Sequence, residues 1–195
     1  IDRHGRDLEV AIETTRRSEF NYFLLSNPDR LVLDTNGALL NAKAPEVPQN
    51  DYVDNIRLGQ FSTNPDTVRV VFDLKDAVNY QVFQDDKRIM VVFSEAATIE
   101  DIDISSESDK TVISIEADGN ISYELKQDRV NKQLIIVIPG VAIDKSLMRK
   151  DVIDVGDGIV KDIVINKVKG STNYNLELVV NLYSYTGCKL ETTPP

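Results

Sequence analysis

Histidine and cysteine, two of the side chains that most often carry out catalysis, are scarce in this chain of 195 residues. It has one histidine, His4, and one cysteine, Cys188. A zinc hydrolase site needs several His, Cys or carboxylate ligands brought together, and His4 would have only carboxylates beside it. A Ser-His-Asp or Cys-His arrangement would depend on the same histidine. The sequence contains no GxSxG, HExxH, CxxC or phosphate-cradling Gly-rich motif.

The 32 Asp and Glu residues leave paired-carboxylate chemistry open, but their abundance makes any chosen pair uninformative. His4 lies close to the amino terminus, where side chains are usually solvated. A single cysteine also excludes an internal disulfide. We therefore predict that this chain is not an enzyme and has no catalytic residue, metal site or cofactor of its own.

The charge of the chain excludes two classes of partner. Its net charge is -10 and its pI is about 4.6, whereas nucleic-acid binding needs clustered Lys and Arg, and so does docking on an anionic membrane. No run approaches the ~20 apolar residues of a membrane span, so no transmembrane segment is predicted. Because the chain starts at Ile1, without Met or a signal peptide, we expect it to be a piece of a longer protein.

Alternation of apolar and polar residues predicts strands along most of the chain. Residues 20–24 and 31–33 flank a turn sequence at 27–30, which is typical of a hairpin. Residues 68, 70, 72 and 74 are apolar and are expected to face a core. A second hairpin is predicted at 80–93, and a connecting loop with two prolines at 41–51. Short helical turns are possible near Ala38–Ala42 and Lys145–Arg149.

The second half of the chain repeats the pattern of the first half. The matched segments are 111–116 with 8–13, 121–125 with 20–24, 160–163 with 53–56, and 176–182 with 68–74. Small differences in spacing are of a size that a loop insertion absorbs. The sequence therefore predicts an all-β fold of two tandem domains, residues 1–95 and 96–195, each a small β-sandwich or barrel, with apolar positions 176, 178, 180 and 182 facing the second core.

The two copies are unequal at their ends. Residues 99–104 look like an extra leading strand in the second copy, whereas residues 1–5 show no apolar alternation. The second copy has no counterpart of the strand at 89–93, and an unpaired sheet edge is a liability. We expect that the parent chain continues or that a neighbouring segment covers this edge. Residues 192–195, Thr-Thr-Pro-Pro, look like the start of a linker.

Two motifs in the first copy resemble the AMIN domain, a bacterial cell-envelope module. Residues 26–34, Ser-Asn-Pro-Asp-Arg-Leu-Val-Leu-Asp, followed by Gly37, are similar to the NPDR turn and LV(I/V)D strand of that family. Residues 54–61, Asp-Asn-Ile-Arg-Leu-Gly-Gln-Phe, and 68–75, Val-Arg-Val-Val-Phe-Asp-Leu-Lys, resemble its IRVGQF and VRVVFDL segments. The second copy keeps the skeleton but departs from both motifs, so its assignment depends on the repeat.

The resemblance implies a small β-sandwich of two sheets that accompanies N-acetylmuramoyl-L-alanine amidases, which are zinc enzymes, or secretins of type IV pili. It also implies a module that holds its parent at peptidoglycan in the cell envelope, outside the cytoplasm. For an amidase, the zinc ligands would lie in a separate domain outside this segment. The motifs supply the candidate ligand-binding residues: Arg30, Asp34, Arg57, Gln60 and Arg69.

The chemistry of these residues fits a polar surface that binds sugars or stem-peptide carboxylates. Phe61, Tyr52 or Tyr80 would either stack on a sugar ring or lie in the core. Arg69 and Asp73 would otherwise be ordinary cross-strand partners exposed to solvent. The main hypothesis is a peptidoglycan-targeting module. The alternative is a protein-interaction module of a pilus secretin or another envelope assembly, which would dock through a sheet edge.

Overall fold

A computed structural model describes residues 1–170 and 172–191 of the chain. Across these residues the secondary structure is β-strand, with one short 3-10 helix. The chain forms two compact units, unit 1 at residues 1–95 and unit 2 at residues 96–195. The all-β class predicted from the alternation is confirmed. The described part contains no helix long and apolar enough to cross a membrane.

Unit 1 contains eight strands in two antiparallel four-stranded sheets. They are β1 (Asp2–His4), β2 (Asp7–Glu13), β3 (Phe20–Leu25), β4 (Arg30–Asn36), β5 (Val53–Thr63), β6 (Asp66–Leu74), β7 (Asn79–Asp85) and β8 (Arg88–Ser94). The β2 sheet has the order β1-β2-β8-β7, and the β4 sheet has the order β3-β4-β6-β5. Both predicted hairpins form, as β3–β4 and β7–β8.

The core of unit 1 lies between these two sheets. Alternate residues of each strand point inward, so that Leu31 and Phe72 of the β4 sheet share one apolar cluster with Leu8 and Phe93 of the β2 sheet. The rings of Phe72 and Phe93 meet at 5.4 Å between centroids, inclined by 60°. Both side chains are fully buried. Residues 68, 70 and 74, the other positions of β6 that were predicted to face the core, are at most 8% exposed. Unit 1 is therefore a β-sandwich.

The connection from β4 to β5 is an extended loop fastened by buried polar groups. The Asn50 side chain accepts hydrogen bonds from the backbone N–H groups of Tyr52 and Val53, both at 2.7 Å. The helical turn expected near Ala38–Ala42 does not form. Its backbone is held by Gln60 instead, which accepts from Leu40 N at 2.8 Å and donates to the Ala38 carbonyl at 3.1 Å.

Strand β1 was not expected from the sequence. Residues 2–4 are all polar and exposed, so they carry no alternation, yet they pair with residues 7–9 of β2. Backbone groups make the pairing, His4 Nε2 lies 3.6 Å from a carboxylate oxygen of Glu9 across the strands, and Gly5 at φ +64° makes the tight turn between them. Backbone pairing at a solvated edge leaves no mark in the hydrophobic pattern.

The described residues of unit 2 form seven strands and the 3-10 helix Leu147–Arg149, where a helical turn was expected. The strands are β9 (Thr98–Ser106), β10 (Thr111–Ala117), β11 (Glu124–Asp128), β12 (Gln133–Ile143), β13 (Val152–Asp154), β14 (Val160–Lys169) and β15 (Tyr174–Leu182). The leading strand expected at residues 99–104 forms as β9, but it is not extra, because β1 has the corresponding place beside β2 in unit 1. Strand β12 bends near Pro139–Gly140, so that its first part pairs with β11 and β15 and its end runs parallel to β9.

The strand order β11-β12-β15-β14 in unit 2 is the same as β3-β4-β6-β5 in unit 1. Residues 176, 178, 180 and 182 of β15 are buried, as their alternation predicts. Residues 183–191 form no strand, and the linker expected at 192–195 lies outside the described residues. The repeated order supports the internal repeat, whereas the likeness of unit 2 to the AMIN domain stays a prediction.

Strand β10 has a partner on one edge only. It pairs with β9, and no other strand of the described residues pairs with it, whereas its counterpart β2 lies between β1 and β8. The inward residues Ile113 and Ile115 are half-buried, but Val10 of β2 is 4% exposed. In unit 1, β8 and β7 extend the sheet beyond β2, whereas no strand of the described residues extends it beyond β10 in unit 2.

We expect the β10 amides that point away from β9 to exchange with solvent at least about tenfold faster than those of β2, which has a strand on both sides. The measurement is hydrogen–deuterium exchange by NMR, residue by residue, on residues 1–195. The β9-facing amides of β10 serve as the internal control. Equal protection of β2 and of both sets of β10 amides would contradict the open edge.

The carboxylate of Asp157 fastens the β9–β10 hairpin to the segment that precedes β14. It accepts hydrogen bonds from the hydroxyls of Ser106 and Thr111, at 2.7 and 2.6 Å, and from the backbone N–H groups of Ile159 and Val160. These bonds, above all that from Thr111, hold the pKa of Asp157 well below its usual range. The ionised form is therefore favoured in the folded state.

A carboxylate with a lowered folded pKa contributes stability that is complete above its unfolded pKa of about 3.9 and is lost as the pH falls below it. We expect Asp157→Asn to make the stability of unit 2 less sensitive to pH between about pH 5 and pH 2. The measurement is urea unfolding followed by NMR signals of unit 2, with the exposed Asp109→Asn as control. An unchanged pH profile in Asp157→Asn would contradict the assignment.

Candidate functional site

The outward side of the β4 sheet brings most of the predicted ligand-binding residues together. Strand alternation places Arg30 and Asp34 of β4, Arg69 of β6, and Arg57 and Phe61 of β5 on this side, opposite the core. We call these five residues the arginine–aromatic face. The register sets Asp34 opposite Arg69, and Arg69 opposite Gly59 of β5.

Arg69 lies at the centre of the arginine–aromatic face. Its Nε and Nη2 donate to the two carboxylate oxygens of Asp34, both at 2.7 Å, and this hydrogen bonding raises the pKa of Arg69. The guanidinium carbon lies 3.5 Å from the ring centroid of Phe61 and 5.7 Å from that of Phe23. A planar cation between a carboxylate and two rings has little freedom, so this part of the surface is preorganised.

Arg57 forms a second bidentate salt bridge, with Asp73 of β6. Its Nε and Nη2 donate to the carboxylate at 2.9 and 2.5 Å, and the hydrogen bonds raise the pKa of Arg57. About half of the Arg57 side chain is exposed, compared with 28% for Arg69. Arg30 lies beside this pair on β4, with its Cα opposite that of Asp73, and its Nε donates to the Pro28 carbonyl at 3.3 Å.

Gly59 leaves a gap in the arginine–aromatic face between Arg57 and Phe61. A Cβ built at Gly59 would have no heavy atom within 4 Å, so the space above this backbone is open to solvent. Phe61, which borders the gap, has 58% of its surface exposed. A glycine within a strand often marks a site where a ligand approaches the backbone closely.

Gln60 lies apart from the other predicted site residues. A register shift between Gln60 and Ser62 interrupts the ladder there, and the Gln60 amide bonds inside the protein. Its Nε2 donates to the carbonyls of Ala38, Ser62 and Thr67, while its Oε1 accepts from Leu40 N. This amide holds the β4–β5 loop, so we leave Gln60 out of the surface proposed to bind ligand.

The three aromatic candidates separate according to exposure. Tyr80 is 1% exposed and Tyr52 is 8% exposed, so both belong to the core and are not available to stack on a ligand. Phe61 is the exposed member of the three. Phe23 and Gly59 also border this surface, although neither was among the site residues predicted from the sequence. The sequence pattern that could have identified Phe23 is an aromatic residue at a solvent-facing position of β3. For Gly59 it is an isolated glycine within a strand.

The corresponding side of unit 2 carries different chemistry. At the positions that match Arg57, Arg69 and Asp34 in the repeated strand order, the β14, β15 and β12 strands carry Val164, Glu177 and Val137. Glu177 accepts a hydrogen bond from Asn166 at 2.9 Å. The bidentate salt bridges and the exposed phenylalanine of unit 1 are therefore not repeated at the matching positions of unit 2.

The described residues contain no group of three or more His, Cys, Asp or Glu side chains placed to hold a metal ion. The arrangement on unit 1 suits noncovalent binding, since it combines fixed donors, fixed acceptors and an exposed ring on a rigid sheet. Unit 1 is thus a β-sandwich module with a preorganised polar and aromatic surface on one sheet.

The family model of the AMIN domain matches residues 1–93, nearly the whole of unit 1. The resemblance of the first copy to the AMIN domain is therefore confirmed across unit 1. Over 79 residues the chain is 38% identical to N-acetylmuramoyl-L-alanine amidase AmiC of Escherichia coli O6:H1 (strain CFT073). It is 35% identical over 79 residues to the protein of the same name from Neisseria meningitidis serogroup B (strain MC58). Each match covers 38% of this chain and 18% of the relative.

Proposed function

We propose that this chain is a non-catalytic peptidoglycan-binding module of a cell-envelope protein, and that the arginine–aromatic face of unit 1 makes the contact. The observation that carries the proposal is this preorganised face on a unit that the AMIN family model matches. The parent would be an N-acetylmuramoyl-L-alanine amidase located outside the cytoplasm, because the relatives that match unit 1 carry that name. Its zinc-dependent catalytic domain would lie outside this segment.

Binding to a wall polymer by an acidic protein must depend on local contacts. The net charge of -10 repels anionic polymers at long range. Short-range hydrogen bonds and ring contacts on a rigid sheet do not depend on that field, because they act at contact distance. The module would hold its parent at the wall, and the parent's catalytic domain would then meet its substrate at a raised effective concentration.

Co-sedimentation with protein-free peptidoglycan sacculi tests the proposal. Residues 1–195 are expected to pellet with sacculi, and Arg30→Ala/Arg57→Ala is expected to lower the pelleted fraction severalfold with unchanged circular dichroism. The matched control is Lys43→Ala/Lys87→Ala, which removes two exposed cations of unit 1 that do not belong to the arginine–aromatic face. Equal losses in both variants would indicate nonspecific charge binding, and absence of pelleting would overturn the proposal.

A second candidate function, docking within a type IV pilus secretin or another envelope assembly, is favoured by the open edge of β10. An extended partner segment could add there as β8 adds to β2 in unit 1. Its inward residues would be branched aliphatic or aromatic, and its outward residues basic, because Glu116 of β10 and Asp103 of β9 point outward there. If residues 1–195 fail to pellet with sacculi, docking on a protein partner becomes the favoured function.

A further inference from the structure

Two of the three arginines on the arginine–aromatic face, Arg57 and Arg69, are already paired with carboxylates of the protein. The third, Arg30, has no carboxylate partner among the described residues and donates to the Pro28 carbonyl. Each carboxylate of Asp34 and Asp73 accepts two hydrogen bonds from one guanidinium. To bind Arg57 or Arg69, an anionic group such as a stem-peptide carboxylate would have to displace their aspartate partners. The displaced carboxylate would then lose its two charge-assisted bonds. The net charge of the chain adds repulsion to this cost.

Uncharged groups that both donate and accept hydrogen bonds suit the same surface without displacing either ion pair. The pairs use Nε and Nη2 of Arg57 and Arg69, which leaves Nη1 of each guanidinium outside the pair. Carboxylate oxygens have further lone pairs beyond the bonds they already accept. Hydroxyl and acetamido groups supply the matching partners, since each contains both a donor and an acceptor.

The exposed ring of Phe61 adds an apolar contact beside the gap at Gly59. One face of the ring packs on the Arg69 guanidinium at 3.5 Å, and more than half of the residue remains exposed. The C–H groups of a pyranose ring carry a slight positive charge and pack on the negative face of an aromatic ring. Arg57, Gly59 and Phe61 are every second residue of β5, and neighbouring members of this row are about 6.8 Å apart along the strand. The surface is therefore long enough to contact neighbouring sugar rings.

We infer that the arginine–aromatic face binds the glycan strand of peptidoglycan, through N-acetylated amino-sugar rings, and not the anionic stem peptides. This inference rests on the proposed function and narrows it to one part of the polymer. Phe61 packs on a sugar ring, the gap at Gly59 admits the ring next to the backbone, and the paired arginines and aspartates bond to hydroxyl and acetamido groups.

Competition in the sacculus assay tests the inference. The probes are N-acetylglucosamine tetramer, which is uncharged, and a synthetic stem tetrapeptide. The tetramer is expected to release the chain from sacculi and the tetrapeptide to leave it bound. Pelleting is expected to fall less than about twofold between about 50 and 500 mM NaCl, because the contacts are not long-range charge interactions.

Two variants connect the competition to the face. Phe61→Ala is expected to weaken binding of the tetramer about tenfold, and Phe61→Tyr, which keeps the ring, to stay within about threefold of the wild type. Release by the tetrapeptide, with no release by the tetramer, would overturn the inference while leaving the proposed function in place. Absence of pelleting with sacculi would instead refute the proposed function itself.

Discussion

Arg69→Ala is expected to abolish detectable pelleting with sacculi and to lower the free energy of unfolding of unit 1 by about 1–2 kcal/mol. The guanidinium is the group that holds Phe61 in place, and its loss leaves Asp34, whose side chain is 16% exposed, without its ion-pair partner. Both effects originate from one side chain, so the measurement must separate binding from stability.

The double variant Asp34→Ala/Arg69→Ala separates them. Removing the orphaned carboxylate as well is expected to restore part of the lost stability, but not the pelleting, because the support under Phe61 is still missing. Stability is measured by urea unfolding and binding by co-sedimentation. Recovery of pelleting in the double variant would show that Arg69 acts only through the stability of the fold.

Phe72→Ala is expected to lower the free energy of unfolding of unit 1 by about 3–5 kcal/mol, which is enough to unfold many small domains. Phe72 is fully buried and meets Phe93 across the sandwich, so its removal leaves a cavity between the two sheets. Because unit 2 has its own core, its unfolding transition is expected to stay where it is.

The matched control for this prediction is Phe83→Ala, the same substitution at a residue with 46% exposure. It is expected to cost well under half as much, since little apolar surface returns to water. Thermal or urea unfolding followed by NMR reports on the two units separately. Simultaneous loss of the signals of both units in Phe72→Ala would show that they unfold as one body.

The strands and cores could be predicted because their signal is local. The alternation at 68–74 and at 176–182 sets which side chains are buried, and the structure buries them all. The family resemblance of the first copy is confirmed over residues 1–93. Strand β1 was not predicted, because backbone pairing with β2 decides it. The helical turn predicted near Ala38–Ala42 does not form, because hydrogen bonds to Gln60 hold that backbone in another conformation.

The site was predicted in part, as a set of residue types on the right strands. The pairing of Arg69 with Asp34 and of Arg57 with Asp73 depends on which strands are neighbours and in which register, and alternation carries no such information. Gln60 follows Ile56 and Leu58 on the inward side of β5, so alternation already argued against a ligand-binding role for it. Phe61 could not be assigned to the core or the surface, because both fates are common for an aromatic residue in a strand.

The central claim is that the outward side of the β4 sheet in unit 1 binds peptidoglycan. The most direct test is titration of ¹⁵N-labelled residues 1–195 with soluble disaccharide fragments of peptidoglycan, followed by NMR. We predict shifts of the backbone signals of Arg57, Gly59 and Phe61 and of the guanidinium signal of Arg69, with the β2 sheet and unit 2 unchanged. Shifts that cluster on the β2 sheet or on unit 2, with the arginine–aromatic face silent, would contradict the account.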